Sequence, residues 1–363
     1  MRIAQIAPLY ESVPPERYGG TERVIAAACN GLVELGHDVT LFAAGTSATR
    51  ARLEPVIAAP LRTRMSRQEM IEVAPHLHLR MLADVYRRSD EFDIIHAHTD
   101  IWTLPFASLC PIPTLITMHG RLDLEHVRQT VPLYPHIPLV SISNHQRRAL
   151  DGLDANWVAT VYNGLDLTSY RSAPRNDAGY LAFVGRVHPE KGPADAVEIA
   201  VRASRPLRVG AKIDPLDVDY YRDEIEPLFS AHDVDFLGEL GEADKPAFYA
   251  GAAATLFPSD WPEPFGLVMI ESMAAGTPVI ALRRGSVPEI IVDGVTGFIC
   301  DDVDEMVRAV HRLDEIDPQA CRRHAASFDG TTMSAAYESV YKSILDDTFE
   351  FADDSWRDGQ RAS

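Results

Sequence analysis

The chain of 363 residues has no long hydrophobic run and few cysteines or lysines. Because no stretch of roughly 18 apolar residues occurs, we expect no membrane-spanning helix, and the short apolar start is too brief for a signal peptide. The four cysteines form no CxxC pair, which argues against a zinc centre or a disulfide framework. We therefore expect a cytoplasmic protein with no bound metal and no cofactor.

Positive charge is also scarce, with 34 Lys and Arg side chains against 53 Asp and Glu and a formal net charge of −19. A protein that grips nucleic acid through a broad basic face is therefore not expected. Residues 166–363 carry nearly all of the acidic excess, which we expect on outer surfaces. Four arginines of the first half allow weak peripheral contact with a membrane, namely Arg62, Arg64, Arg67 and Arg80.

Length and composition fit two globular domains, since hydrophobic residues make up 46% and charged residues 24% of the chain. Short β-type runs alternate with helical patterns, which is typical of parallel α/β folds. In the first half, strands are predicted at Arg2–Ala7, Asp38–Ala43, Asp93–His96, Thr114–Met118 and Leu139–Ile142. In the second half, they are predicted at Leu181–Val184, Leu207–Val209, Val234–Leu237, Ala254–Phe257, Val279–Leu282 and Gly297–Cys300.

Helical patterns lie between these runs. Thr21 is expected to cap the first helix, over Val24–Leu35, which ends at Gly36. Later helices are predicted at Pro193–Ala203, Leu267–Ala275 and Thr331–Ile344. The polar, aperiodic stretch Ser169–Gly179 is expected to link the two halves.

Polar side chains begin where three of the first-half strands end. In an open parallel sheet, ligands bind beyond the carboxyl ends of the strands. The side chains expected at such a site are His98, Asp100, His119, Ser143 and Asn144.

The most informative segment covers residues 258–297. Glu263 lies in a loop between two prolines, and Phe265 with Gly266 opens a helix that contains Glu271. Backbone N–H groups at such a helix start suit a diphosphate. Two carboxylates beside a phosphate make sense if they accept hydrogen bonds from the hydroxyls of ribose and of a second sugar. From spacing alone, a solvated helix glutamate and a loop charge explain the pair equally well.

Glu263 and Glu271 are separated by seven residues and resemble the signature of retaining glycosyltransferases with the GT-B fold. The segment Glu-Pro-Phe-Gly-Leu-Val-Met-Ile-Glu-Ser-Met-Ala-Ala-Gly-Thr-Pro-Val-Ile-Ala, which starts at Glu263, is similar to glycosyltransferase family 4. Further segments resemble the same family, namely Tyr18–Thr21, Thr117–Gly120, Phe183–Arg186, Glu190–Gly192 and Gly285–Ile291.

This resemblance implies an α/β fold in which two Rossmann-like domains face each other across a cleft. It implies an acceptor-side domain over residues 1–168 and a donor-binding domain over 169–330. A helix over 331–350 would cross back to the first domain. The acidic, polar residues 351–363 are expected to form a disordered tail.

The resemblance also assigns roles to individual residues. The expected catalytic residues are Glu263, His119, Arg186 and Lys191, with the two cations on the donor diphosphate. Further donor contacts are expected from Gly19, Gly20, Phe265, Gly266, Leu267 and Glu271. On the acceptor side, contacts are expected from His98, Asp100, Ser143 and Asn144.

The implied activity is metal-independent transfer of a sugar from a nucleotide-diphosphate sugar, with a UDP-sugar favoured, to a hydroxyl of a carbohydrate, lipid or small-molecule acceptor. The anomeric configuration would be retained by a front-face mechanism. Two alternatives remain open. One is another GT-B enzyme, such as a UDP-sugar 2-epimerase, and the other is a sugar-nucleotide-binding protein without catalysis.

Overall fold

The computed structural model describes residues 1–17, 19–173 and 179–346. Within these ranges, two parallel sheets form the framework. The strands of the first sheet are β1 Arg2–Ile6, β2 Asp38–Ala44, β3 Arg52–Ile57, β4 Ile94–Ala97, β5 Thr114–Met118, β6 Leu139–Ser141 and β7 Trp157–Thr160. The strands of the second sheet are β8 Tyr180–Arg186, β9 Leu207–Lys212, β10 Val234–Gly238, β11 Ala252–Phe257, β12 Val279–Leu282 and β13 Gly297–Cys300.

Strand order is β3-β2-β1-β4-β5-β6-β7 in the first sheet and β10-β9-β8-β11-β12-β13 in the second. The strand order reverses between β1 and β4 in the first sheet and between β8 and β11 in the second. In open α/β sheets, ligands bind at such a point, beyond the carboxyl ends of the strands. The central strands β4, β5 and β11 are buried along their whole length, as expected when helices cover both faces.

Helices connect the strands and lie on the sheet faces. In the first half they are α1 Gly20–Glu34, α2 Arg67–Arg87, α3 Leu104–Ala107, α4 Glu125–Thr130, α5 Asn144–Arg147 and α6 Thr168–Ser172. In the second half they are α7 Pro193–Arg202, α8 Val218–Tyr220, α9 Glu226–Ala231, α10 Lys245–Ala250, α11 Leu267–Ala274, α12 Val287–Ile290, α13 Val303–Val310, α14 Pro318–Ala325 and α15 Gly330–Asp346. No helix in the described part of the chain is long and apolar enough to cross a bilayer.

Each predicted strand has a counterpart, with ends shifted by at most a few residues. The sequence patterns missed β3 and β7, which form the two edges of the first sheet. Both are only partly buried along their length, so their sequences lack the apolar run that marks a central strand.

Two local predictions are wrong. Thr21 does not cap the first helix, because the helix begins at Gly20 with Gly19 in the cap position and no side-chain cap. Part of the expected linker is α6, whose Tyr170 is only 2% exposed and anchors the segment in the core. Linker residues 174–178 lie outside the described residues, as do Tyr18, the end of the predicted crossover helix at 347–350 and the predicted tail 351–363.

The last helix, α15, returns to the first sheet and packs against α1. The contact is close at Gly31, where an added Cβ would lie 2.7 Å from the Cβ of Ser334. Farther along α15, Tyr337 and Tyr341 are fully buried, and their hydroxyls reach β5 and β1. The chain therefore closes the first domain with its final helix.

Replacement of Gly31 by alanine tests this packing. On helix propensity alone, Gly31→Ala would stabilise α1 by about 1 kcal/mol. The clash with Ser334 should instead give a net destabilisation of about 1–3 kcal/mol. Chemical denaturation followed by circular dichroism measures the change, with Glu34→Ala on the exposed side of α1 as the control. A more stable Gly31→Ala protein would contradict the α1–α15 contact.

Candidate active site

A cavity of about 240 Å³ lies between the carboxyl ends of the two sheets. All ten residues predicted as catalytic or donor-binding line it. From the first domain these are Gly19, Gly20 and His119, and from the second Arg186, Lys191, Glu263, Phe265, Gly266, Leu267 and Glu271. The sequence-based set is thus gathered at one place from loops far apart in the chain.

Glu263 is held in its loop by both side-chain and backbone contacts. Its carboxylate pairs with the Lys191 ammonium and accepts a hydrogen bond of 2.8 Å from the Trp261 indole nitrogen. Gly285 packs against the Glu263 backbone so closely that an added Cβ would lie 2.4 Å from its nitrogen and oxygen. The next residue, Ser286, donates its N–H to the Glu263 carbonyl at 3.0 Å. The glycine and serine of this segment therefore brace the glutamate loop.

Helix α11 begins directly after this loop. Gly266 stands at the cap position in a left-handed conformation, and no side chain caps the first turn. The uncapped N–H groups of Leu267 and its neighbours therefore lie at the cavity wall, as an anionic ligand requires.

Glu271 lies in the same helix but is only 1% exposed. Its carboxylate forms an ion pair with Arg23, which comes from α1 of the first domain, and accepts a 2.8 Å hydrogen bond from the Tyr249 hydroxyl. The Lys245 ammonium is 3.8 Å away. Burial alone would raise the pKa of Glu271, but Arg23 and Lys245 hold it below the usual value, so the group is ionised at neutral pH.

Arg23 is the first-domain partner that this carboxylate requires. Its side chain is only 10% exposed and also contacts Glu242 at 2.7 Å and the Tyr170 hydroxyl at 3.3 Å. Burial would lower the pKa of Arg23, but Glu271 and its neighbours raise it above the ordinary value. The guanidinium therefore remains charged inside the interface between the domains.

Arg186 lies beside a buried acidic residue, Asp217. On sequence grounds alone, the segment from Asp217 to Asp219 is predicted to be an acidic surface remote from the site. The structure differs, because Asp217 is 7% exposed and its carboxylate lies 3.3 Å from the Arg186 guanidinium. Asp219 is exposed and pairs with Arg222. One carboxylate of the pair therefore contacts a cation that lines the cavity.

His119 follows β5 and lies on the first-domain side of the cavity. Its backbone N–H donates to the Asp100 carboxylate at 2.9 Å, and its ring Nε2 lies 2.8 Å from Nδ1 of His98. Burial lowers the pKa of His119 to about 4 and raises that of Asp100 to about 6. Asp100 also has a φ of +47°, a strained conformation for a non-glycine residue that points to a functional constraint.

The four predicted acceptor-side residues divide into two pairs. His98 and Asp100 line a second cavity of about 290 Å³, which includes the rings of Tyr10 and Trp102. Ser143 instead donates its hydroxyl to the Pro264 carbonyl at 2.6 Å. Asn144 donates its backbone N–H and side-chain amide to Glu289 at 2.7 and 3.0 Å. This second pair therefore binds the two domains to each other.

The charge of the main cavity is opposite to that of the whole chain. Among the described residues, six cationic side chains line it, namely Arg17, Arg23, Arg186, Lys191, Lys212 and Lys245. The carboxylates that line it are Glu239, Glu263 and Glu271. An excess of positive charge in a concave site attracts an anionic ligand despite the net charge of −19.

Solved structures share this architecture. A glycosyltransferase involved in Avilamycin A biosynthesis superposes with a TM-score of 0.70 at 25% identity, over 95% of this chain and 98% of that chain. Anabaena Alr3699/HepE, determined in complex with UDP and glucose, gives a TM-score of 0.72 at 20% identity, over 94% of this chain and 100% of that chain. The protein therefore has the GT-B fold.

Sequence comparison identifies the family. Residues 18–169 match Glycosyltransferase Family 4, and residues 169–326 match Glycosyl transferases group 1. A glycogen synthase of Mycobacterium tuberculosis is 26% identical, with 94% of both chains covered. A D-inositol 3-phosphate glycosyltransferase of Thermobifida fusca is also 26% identical, over 90% of this chain and 87% of the relative. The chain is a glycosyltransferase of the family 4 type.

Loss of Arg23 should leave a buried carboxylate without its main partner. We expect Arg23→Met to lower the free energy of unfolding by about 3–5 kcal/mol in chemical denaturation. The reason is that Glu271 would keep its buried charge without its main cationic partner. Arg222→Met is the control, since its two acidic partners are solvent-exposed and little change is expected. Equal loss in both variants would contradict the structural role of Arg23.

Glu22, which follows the glycine pair, gives the fold a defined pH dependence. Burial raises its pKa to about 7 from an ordinary 4.5, so between these pH values the folded chain holds the proton more firmly than the unfolded chain. Stability should therefore fall as pH rises through this window. At pH 8, Glu22→Gln should be more stable than the parent by about 2–3 kcal/mol, and near pH 4.5 the difference should vanish. A pH-independent difference in denaturation midpoints would refute this assignment.

Proposed function

We propose that the protein is a retaining glycosyltransferase that moves a sugar from a nucleotide-diphosphate sugar, most favourably a UDP-sugar, to an acceptor hydroxyl. The observation that carries this proposal is the cavity between the two sheets. It combines two cations, Arg186 and Lys191, with the uncapped start of α11 and the carboxylates of Glu263 and Glu271. Solved relatives with UDP and glucose support the choice of donor class.

Departure of the sugar leaves negative charge on the diphosphate. Arg186 offers a forked set of donors, Lys191 offers a point charge, and α11 offers backbone N–H groups. Such donors lower the activation barrier because they already point to the atoms on which negative charge develops, so that the protein does not have to rearrange during the reaction. These positive groups supply the role that a divalent cation plays in other transferases, and we propose that transfer needs neither a metal ion nor a cofactor.

The two carboxylates have different surroundings and take different roles in this proposal. Glu263 faces the cavity with 18% of its side chain exposed, where it accepts hydrogen bonds from hydroxyls of the transferred sugar. Glu271 is engaged by Arg23 and Tyr249 and takes the ribose. A carboxylate so fully engaged is a poor nucleophile, which supports a front-face reaction in which the leaving phosphate takes the acceptor proton.

The nucleotide and the acceptor occupy opposite ends of the site in this proposal. At the donor end, Glu239 and Leu240 follow β10 and line the cavity, where their backbone suits a base. At the other end, His119 lines the first cavity while its neighbours Met118 and Gly120 line the second, whose rings and carboxylate suit a hydroxylated acceptor. Closure of the domains on both substrates would exclude water.

Removal of either central charge should abolish transfer while the fold survives. We expect Glu263→Ala and Lys191→Ala to lower kcat/KM by about 10²–10³-fold or more with a donor found by thermal-shift screening. Glu198→Ala and Lys342→Ala remove exposed charges of the same type and are the matched controls. Circular dichroism verifies folding. Full activity of both site variants would overturn the assignment.

Product analysis separates the alternatives. NMR of the glycoside should show the anomeric configuration of the donor, and EDTA should not reduce the rate. An inverted product would exclude the retaining mechanism. A nucleotide sugar epimerised at C2 without transfer would identify a 2-epimerase, and donor binding without turnover of any acceptor would identify a binding protein.

A further inference from the structure

A chain of buried hydrogen bonds joins the last helix to His119. The Gln5 amide nitrogen, on β1, lies 3.1 Å from the Tyr341 hydroxyl on α15. The Gln5 amide oxygen lies 2.9 Å from Nε2 of His98, and Nδ1 of His98 lies 2.8 Å from Nε2 of His119. Gln5 and Tyr341 are 0% exposed and His98 is 2% exposed, so water does not compete for these contacts.

The chemistry of these groups fixes the direction of each hydrogen bond. An amide oxygen only accepts, so Nε2 of His98 must carry a hydrogen and donate to Gln5. Burial lowers the pKa of His98 well below its ordinary value, so the ring is neutral and its Nδ1 carries no hydrogen. His119 must therefore donate through Nε2 to His98. A neutral His119 ring with its hydrogen on Nε2 has a bare Nδ1.

Within the described residues, the ring of His119 has a hydrogen-bond partner only at Nε2. Its other nitrogen is therefore available to a ligand in the cavity that His119 lines. A bare imidazole nitrogen accepts a hydrogen bond, whereas the other tautomer would present an N–H donor. A sugar hydroxyl that donates to this nitrogen keeps its oxygen lone pairs for other contacts.

Tyr341 and His96 hold the Gln5 amide in the required orientation, since the amide nitrogen lies 3.1 Å from the Tyr341 hydroxyl and 3.2 Å from Nδ1 of His96. The Tyr341 hydroxyl lies 2.7 Å from Nδ1 of His96, and Nε2 of His96 lies 2.8 Å from the Thr117 hydroxyl. When Tyr341 donates to His96, its oxygen accepts from the Gln5 NH₂ group. The amide oxygen then faces His98. If the amide were turned over, its NH₂ group would face His98 and require the opposite hydrogen position on both histidines.

We propose that Gln5 and Tyr341 are positioning residues that hold His119 with its ring hydrogen on Nε2 and its Nδ1 ready to accept a hydrogen bond from a substrate hydroxyl. The consequence for catalysis rests on the proposed function, whereas the tautomer is a property of the protein alone. The returning helix therefore takes part in building the active site, in addition to closing the first domain.

Long-range ¹H–¹⁵N NMR of histidine-labelled protein, without substrates and at neutral pH, tests the tautomer directly. His119 signals are assigned by their loss in His119→Asn. We expect the parent to show hydrogen on Nε2 of both His98 and His119. Gln5→Leu and Tyr341→Phe should shift these signals towards mixed tautomers. A parent His119 with hydrogen on Nδ1, or with a charged ring, would overturn the proposal.

Tyr337→Phe is the matched control on the same helix. Its hydroxyl lies 3.1 Å from the Thr117 hydroxyl and is equally buried, but it does not contact Gln5. Each tyrosine variant removes one buried hydroxyl, so general loss of packing should affect both alike. We expect the His119 signals to change in Tyr341→Phe and to remain in Tyr337→Phe. If both variants changed the His119 signals alike, the hydrogen bonds between Tyr341 and His119 would have only a structural role, and the proposal would be refuted.

Kinetics provide a second readout. A small misplacement of a group in an active site can lower the reaction rate by up to about a hundredfold. We therefore expect kcat to fall about tenfold in Tyr341→Phe and about tenfold to a hundredfold in Gln5→Leu. KM for the donor should change by less than about twofold, because the phosphate contacts are unaltered, and Tyr337→Phe should retain parent kinetics. If Gln5→Leu does not fold, Tyr341→Phe carries the test. An increase in donor KM with unchanged kcat would contradict the inference.

Failure of the proposed function would be recognised separately. It would appear as lack of transfer by the parent protein with every donor tested. The NMR experiment uses no donor, so it confirms or overturns the tautomer in either case.

Discussion

The ion pair between Arg23 and Glu271 is the interaction on which the site depends. Glu271 lies on a helix of the second domain, and Arg23 lies on the first helix of the first domain. An isolated carboxylate with 1% exposure would be neutral or would destabilise the fold. Lys245 and Tyr249 of the second domain also stabilise the ionised form, but its closest cation, Arg23, is present only when the two domains are in contact. This requirement couples the electrostatics of the donor site to the arrangement of the domains.

Other polar contacts between the two domains support the same arrangement. Glu289 of the second domain accepts hydrogen bonds from the backbone of Asn144 and His145 and from the Tyr162 hydroxyl, all of the first domain. Ser143 reaches the loop that carries Glu263. These contacts are polar and partly open to water, unlike a sealed apolar interface. In its polarity, such an interface resembles a transient protein–protein interface more than a permanent one.

The local structure of the candidate site can be predicted from the sequence, whereas its long-range contacts cannot. The loop with Glu263 and the start of α11 follow from proline, glycine and a helical pattern within a few residues. Arg23 and Gln5 were missed because their importance arises from partners more than 90 positions away, and nothing in their neighbourhood marks them. A helical pattern predicts that a residue is on a face, but not what another domain brings to that face.

The distribution of lysine shows how local chemistry is built against an unfavourable background. The chain uses arginine for most of its surface ion pairs and has only four lysines. Three of the four, Lys191, Lys212 and Lys245, line the main cavity. Arginine presents a rigid planar fork of donors, whereas an ammonium is a compact charge whose three donors can rotate towards different oxygens. The scarcity of lysine in the whole chain is thus combined with a concentration of lysine in the main cavity. Because the surrounding domain is acidic, these few cations define the position of an anionic ligand more sharply than they would on a basic surface.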